Sequence, residues 1–342
     1  MTLTSQASPR LTIVIPTLNR AYCVGRAIES VLSQTSTDFE VLVSDNGSVD
    51  NTQEVLARYT DPRLRKFHFD TTMSAGKHGN FLIDESRGEF FLGLSDDDFL
   101  EDTFVERVLD LFDRQPQVRF VYTGCNRHYG NVVAECLVGP EVEDGMRFIE
   151  QHYANTRNVC WCACVTRVAD LRRIGPLPED VLFGDMFFWT TIALEGDVGC
   201  VPAPLANYTF LTDNLSSGTP VPVWSHHVLK IALHALHLFS NRCHDTLRNN
   251  RLEKAMRRYH AISTTNQFVW TSIRGTKRIL LLRWFLQIAG ETRLRPRLFA
   301  QILLSVILPK FLLRVGIQRQ TKKIQVSNAK VNNIWRNHLP FW

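Results

Sequence analysis

Ser95-Asp96-Asp97-Asp98 places three carboxylates on consecutive residues directly after the apolar run Glu89–Leu94. Neighbouring carboxylates in a crevice repel one another and lose solvation unless a cation shares them. Carboxylate oxygens are hard ligands, so the matching ion is Mg²⁺ or Mn²⁺, which then bridges to phosphate. The plainer role, capping a helix expected over 101–113, needs one carboxylate where this turn offers three. Three more polar groups fall where strands should end: Pro16-Thr17-Leu18-Asn19-Arg20, Asp45-Asn46-Gly47-Ser48, and the stretch Gly76–Asn80.

The elements that must position these groups are legible from their periods. Leu11–Ile15, Phe39–Val43, Leu64–Phe69, Glu89–Leu94 and Val118–Tyr122 are short apolar runs that predict buried strands. Between them, Val24–Gln34, a segment after Asp50 carrying Val55, Leu56 and Tyr59, Lys77–Arg87 and the stretch with Phe104, Val108, Leu111 and Phe112 have helical spacing. This alternation predicts an α/β fold, a mostly parallel sheet with helices on both faces. In such a sheet, ligands bind beyond the carboxyl ends of the strands, near the switch in strand order. Phe187–Leu194 predicts a buried helix, and Pro202-Ala203-Pro204 is expected to end the region. Beyond Gly218–Pro222, helical patterns run over His226–Ser240, Asp245–Thr264, Thr276–Gly290 and Leu298–Gly316.

Three motifs together resemble family 2 glycosyltransferases of the GT-A fold, a Rossmann-like sheet, and in particular members that build bacterial surface polysaccharides, abequosyltransferase-like ones included. They are Val14-Ile15-Pro16-Thr17-Leu18-Asn19-Arg20, Val43-Ser44-Asp45-Asn46-Gly47-Ser48-Val49-Asp50-Asn51-Thr52, and Gly88-Glu89-Phe90-Phe91-Leu92-Gly93-Leu94-Ser95-Asp96-Asp97-Asp98. The resemblance covers roughly residues 10–125, weakens towards 215 and is absent from the tail. It implies a nucleotide-sugar-binding half over 1–125, an acceptor and catalytic half over 126–217, and a basic helical region over 218–342. It implies that Pro16 and Thr17, with Asn19 and Arg20 in the same motif, line the donor's base and ribose pocket. Asp45 would accept a hydrogen bond from the base, in a uridine nucleotide from its ring N–H. Ser48 shapes that turn, Asn80 lies near the donor, and Asp96 joins the diphosphate site. Asp97 is the leading metal ligand, with Asp98 beside it. Asp185, opening the helix in Phe183-Gly184-Asp185-Met186-Phe187-Phe188-Trp189, would be the base that deprotonates an acceptor hydroxyl in an inverting displacement. Gly184 stands where the family carries the first acid of a pair, and Tyr208–Ser217 lacks the late His of many relatives. A carboxylate at a helix start is expected to be held ionised by the dipole. The implied partners are a nucleotide-sugar donor, UDP-sugar favoured, and a glycan or lipid-linked glycan acceptor. A nucleotidyltransferase would show a glycine-rich basic loop after the first strand, which Pro16–Arg20 is not. A non-catalytic sugar-binding protein on the same fold is the remaining alternative.

With 342 residues, 44% hydrophobic and 21% charged, the chain excludes a disordered, collagen-like or small disulfide-stapled protein. Its charge is split: residues 1–240 hold 19 Lys/Arg against 31 Asp/Glu, and residues 241–342 hold 20 against 3, so −12 faces +17. In the tail, Arg274, Lys277, Arg278, Arg283, Arg293, Arg295 and Arg297 are interleaved with Trp270, Leu280–Leu282, Trp284, Phe285 and Leu286. That pattern fits either peripheral contact with an anionic membrane or a helical subdomain with a solvated basic face. No recognised nucleic-acid motif accompanies it. Leu298–Pro309, the best apolar stretch there, has 12 residues where a span needs about 20. No secretory leader is evident, so the expected location is cytoplasmic, with membrane contact peripheral, and the eight cysteines are read as reduced, structural thiols. The alternate spacing Cys160-Trp161-Cys162-Ala163-Cys164 fits a strand better than a metal knuckle.

Overall fold

The structure is a computed structural model that describes residues 8–129, 132–179, 184–211 and 218–274. The described residues fall into two compact units that divide between Phe210 and Leu211.

The first unit is built on one mixed sheet. Strands β1 (Leu11–Thr17), β2 (Phe39–Asp45), β3 (Leu64–His68) and β4 (Phe90–Gly93) alternate with helices α1 (Val24–Leu32), α2 (Thr52–Ala57) and α3 (Ala75–Glu85). They are parallel, with β1 between β2 and β4, so the chain winds outward to β3 and returns to the far side of β1. That return is the switch in strand order, and the ends of β1 and β4 flank it. After β5 (Phe99–Leu100) and α4 (Phe104–Arg114) come β6 (Phe120–Tyr129), β7 (Val132–Glu135), β8 (Val142–Asp144) and α5 (Gly145–Tyr153). A 3₁₀ turn (Trp161–Ala163), β9 (Cys164–Arg167), α6 (Val168–Ile174), α7 (Gly184–Ala193) and β10 (Asp197–Thr209) complete the unit. The sheet order is β3-β2-β1-β4-β9-β6-β10-β5, with β9 and β5 antiparallel to their neighbours.

The alternation of the strands decides what covers each face. Leu11, Ile13 and Ile15 of β1 and Phe39, Val41 and Val43 of β2 point to one side, where they meet Ala27, Ile28 and Val31 of α1, Leu56 of α2 and Val108, Leu111 and Phe112 of α4. Phe148 of α5 packs edge-on against Phe120 of β6 at 5.4 Å and against Trp189 of α7 at 5.8 Å. The predicted strands and the helix over Phe187–Leu194 are present.

Two expectations fail. Pro202-Ala203-Pro204 does not end a region: β10 runs through it beside β6, and the prolines sit at register shifts that spare the ladder their missing N–H. Gly124 opposite them is required, since a side chain there would press on the Ala203 carbonyl at 2.7 Å. The alternating cysteines are not a strand either, because residues 161–163 form the 3₁₀ turn and β9 begins at Cys164.

The second unit is a helical hairpin of α8 (Val221–Arg242) and α9 (Thr246–Arg274). Asp245 caps the second helix through Leu247 and Arg248 N–H. Trp224 Nε1 donates to Ser263 Oγ at 2.8 Å, and Ser225 Oγ bonds His260 Nε2 at 2.8 Å, so the helices are joined by polar as well as apolar contacts. The helices expected over Thr276–Gly290 and Leu298–Gly316, and the basic stretch from Lys277 to Arg297, lie outside the described residues. No helix among the described residues is long and apolar enough to cross a membrane.

Candidate active site

Three of the four polar groups meet past the carboxyl ends of β1, β2 and β4. Pro16 and Thr17 close β1 opposite Ser44 and Asp45 of β2. Asn19 follows with φ +55°, a left-handed conformation that asparagine tolerates better than most residues. Its N–H donates to Ser48 Oγ at 2.7 Å and its Oδ1 accepts from Val49 N–H at 2.8 Å. Arg20 N–H is held by Thr52 Oγ1, and Ala21 N–H by Asp50 Oδ2 at 3.1 Å. The first two motifs therefore fasten each other into one double loop.

Asp45 is fully buried within it. Its Oδ1 accepts Ser48 N–H at 2.9 Å, while its Oδ2 accepts from Gln53 and lies 3.1 Å from His68 Nδ1. Burial alone would push this carboxyl up, but the bonds from Ser48, Gln53 and His68 outweigh it and hold the group below its ordinary value. Next to it, Asn46 exchanges two hydrogen bonds with Met73, at 2.9 and 3.0 Å, tying down the chain before α3.

The acidic turn begins one strand away. Gly93 closes β4 beneath the Trp161 indole so tightly that a Cβ would lie 1.9 Å from a ring carbon. Asp96, Asp97 and Asp98 are all buried, and none caps α4, whose first turn is preceded by Thr103. Arg26 of α1 donates to the Asp97 carbonyl at 2.5 Å and to Thr209 Oγ1 at 2.9 Å, and its guanidinium lies 4.5 Å from the Phe99 ring centre. Asp98 Oδ1 accepts Thr209 N–H at 2.8 Å. The turn is thus clamped between a helix and the end of β10. Burial pushes Asp96 up to about 6, with Asp97 adding repulsion, although the Thr17 hydroxyl and Arg20 favour its ionised form. Burial and Asp97 push Asp98 well above the carboxylate range.

The chemistry of these residues suits a hard divalent cation, since the donors are all carboxylate oxygen, buried, and mutually repelling. Of the late segment Tyr208–Ser217, residues 212–217 lie outside the described residues.

Asp185 opens α7 and is half-buried. Burial pushes it up to about 6, against the pull of its own and Met186 N–H groups. The sequence expectation of a carboxylate held low by the helix start is therefore corrected: desolvation outweighs the helix terminus. Cys160 interacts electrostatically with both Asp185 and Asp98. Gly184 has a packing reason, since a Cβ there would come within 2.4 Å of the Leu177 side chain. Asn80, on α3, uses its amide in both directions on Leu177, accepting its N–H at 2.7 Å and donating to its carbonyl at 3.2 Å. It thus positions the chain leading to α7.

Sequence reasoning missed Arg26, Gln53, His68, Thr209 and Trp161. Each reaches the site from a separate element, and none sits in a motif that marks it.

Residues 12–170 match the model for Glycosyl transferase family 2. The chain is 29% identical over 137 residues, 39% of its length, to the Campylobacter jejuni GalNAc(5)-diNAcBac-PP-undecaprenol beta-1,3-glucosyltransferase. It spans 40% of the length of that enzyme, and less of the chondroitin and hyaluronan synthases that it also matches. Its fold is similar to Staphylococcus aureus TarS 1–349 in complex with UDP-GlcNAc, with TM-score 0.65, 17% identity, and coverage of 87% of this chain and 81% of that one. It is also similar to the mannosyltransferase PcManGT of Pyrobaculum calidifontis in complex with GDP-Man and Mn²⁺, with TM-score 0.56, 16% identity, and coverage of 88% and 86%. The sheet that carries the acidic turn is thus the GT-A fold, and residues 12–170 within it are similar to family 2 glycosyl transferases.

Proposed function

We propose that the chain is an inverting, metal-dependent glycosyltransferase that moves a sugar from a nucleotide diphosphate to a hydroxyl of a glycan or lipid-linked glycan, in the synthesis of a surface polysaccharide. The observation that carries this reading is the convergence, past the carboxyl ends of β1, β2 and β4, of a double loop around Asp45 and a clamped turn of three buried carboxylates. The donor's base and ribose would lie along Pro16, Thr17, Asn19 and Arg20, with Asp45 beside the base. Asp45 is fully buried and its bonds from the Ser48 backbone and hydroxyl, Gln53 and His68 fill the roughly four lone-pair sites of a carboxylate, so it would meet the base by exchanging one of these partners. A UDP-sugar is the favoured donor, which is what the TarS structure holds.

Mn²⁺ or Mg²⁺ would be held by Asp97, with Asp96 and Asp98 adjoining. When bound, such an ion neutralises the diphosphate as it departs. Arg26 and Thr209 keep the turn in place while its charges repel. Asp185 would take the proton of the acceptor hydroxyl, whose oxygen then forms the bond to the anomeric carbon as the bond to the diphosphate breaks. With its pKa raised to about 6, Asp185 is a stronger base than an ordinary carboxylate and is still ionised at neutral pH. The lipid-linked acceptor is supported by the undecaprenol-linked substrate named for the Campylobacter relative. The basic segment 241–342 would bring the enzyme to an anionic membrane surface on the cytoplasmic side.

A thermal-shift panel of UDP, GDP, CDP and dTDP, each with and without Mn²⁺, tests the donor site. Ligand that binds only the folded chain raises its melting temperature by mass action. A shift that needs Mn²⁺ and is largest for UDP is expected. No shift with any nucleotide would overturn the reading.

A further inference from the structure

Behind the acidic turn lies a cluster that the glycosyl-transfer reading does not use. Cys125 is on β6, Cys136 follows β7, and Cys160 precedes the 3₁₀ turn. Their sulfurs lie within 4.8 Å of one another, with Cys136 and Cys160 at 3.6 Å. Thiolates around zinc at about 2.3 Å lie about 3.8 Å apart, close to the spacing of that pair. Cys162, also buried, interacts with Cys125 and with Asp98 and stands outside this group of three. Three buried thiols gathered from separate segments would by themselves pass as small apolar side chains. Arg127 makes that reading costly. It lies two residues after Cys125 on the same face of β6, is nine-tenths buried, and its Nε donates to Cys160 Sγ at 3.5 Å. Among the described residues no carboxylate pairs with it, and the groups acting on it are Cys160, Cys136 and Tyr129. A buried guanidinium needs an anion, and here the anion can only come from sulfur or the phenol.

We propose that Cys125, Cys136 and Cys160 form a structural site for a soft divalent cation, Zn²⁺. Each ligating thiol gives up its proton to solvent as the ion binds. Arg127 offsets the surplus negative charge that several thiolates leave around one ion. The site's soft sulfur ligands are separate in chemistry from the hard oxygens of the acidic turn.

The test uses the full chain, purified without chelator and then reconstituted with Co²⁺ as an optical substitute. About one zinc per chain by elemental analysis, and thiolate-to-cobalt charge transfer in the near ultraviolet, are expected for the wild type. Cys136→Ser and Cys160→Ser should lose the band. Cys164→Ser, a buried thiol outside the cluster, and Asp97→Asn should keep it, which separates this site from the proposed donor metal. A wild type with neither zinc nor a cobalt–thiolate band overturns the proposal, even if the serine variants fail to fold. So does a band that survives in both serine variants, or an intact mass showing Cys136 and Cys160 joined as a disulfide.

Discussion

Asp185→Asn keeps the shape of the side chain and removes its charge, and the structure predicts opposite effects on activity and stability. The carboxyl is pushed from an ordinary 3.8 to about 6. Between those values the folded chain holds a proton that the unfolded chain has released. The wild type therefore loses stability as pH rises through that window, and at pH 7 the ionised group costs at most about 3 kcal/mol. Its partial exposure lowers the expected figure to about 1–3 kcal/mol. Asparagine does not ionise, so the variant should be more stable than wild type at pH 7. At about 2–4 °C per kcal/mol, the melting temperature should rise by several degrees. The difference should shrink as pH falls towards 3.8 and be smallest at the acid end of the range. Transfer should be lost while nucleotide binding persists, because the base acts on the acceptor. Differential scanning calorimetry of both proteins from pH 4 to pH 8 is the assay. A variant less stable at pH 7, or a difference that does not change with pH, would refute the argument that desolvation dominates at this carboxylate. A loss of donor binding would refute its assignment as the base.

Asp45→Ala should weaken nucleotide binding about ten-fold or more by calorimetry, on the scale of 1–3 kcal/mol for a lost buried acceptor; unaltered affinity would reject its place at the base. It should also lower the melting temperature, since Ser48, Gln53 and His68 lose their shared partner. Gly93→Ala should destabilise by about 1–3 kcal/mol by forcing the Trp161 indole aside, and most of that cost should disappear in a Trp161→Ala background, read by urea denaturation. The full chain should co-sediment with anionic but not neutral liposomes, and less so at high salt, as charges screened within about 10 Å at 0.1 M require. Equal binding to both lipids, or none, would leave 241–342 as a helical region without a membrane role.

The first half of the sheet was legible because β1, β2 and β4 are buried almost throughout and read as short continuous apolar runs, while α1 and α4 bury one face and write a period of 3.6 into the chain. The acidic turn was legible for a different reason: three adjacent carboxylates are too costly to bury without purpose. The rest depends on contacts that no local pattern encodes. β10 reads as interrupted because its prolines fall at bulges, which only the pairing with β6 reveals. Arg26 looks like any solvated helix residue until α1 is placed over the turn. The thiol cluster gathers residues from β6, the end of β7 and the start of the 3₁₀ turn, so its spacing in sequence carries no metal signature. At Asp185 the helix start was visible but its burial was not, and burial decides the sign of the shift.

The central claim is glycosyl transfer that depends on a cation held at the acidic turn. Its most direct test is nucleoside diphosphate release coupled to acceptor glycosylation, measured with UDP-sugars and a lipid-linked glycan acceptor for the wild type and Asp97→Asn. The account predicts metal-dependent turnover by the wild type, abolished by EDTA, restored by Mn²⁺, and reduced to a small residue in a folded Asp97→Asn. Full activity in EDTA, or undiminished turnover by Asp97→Asn, would contradict it.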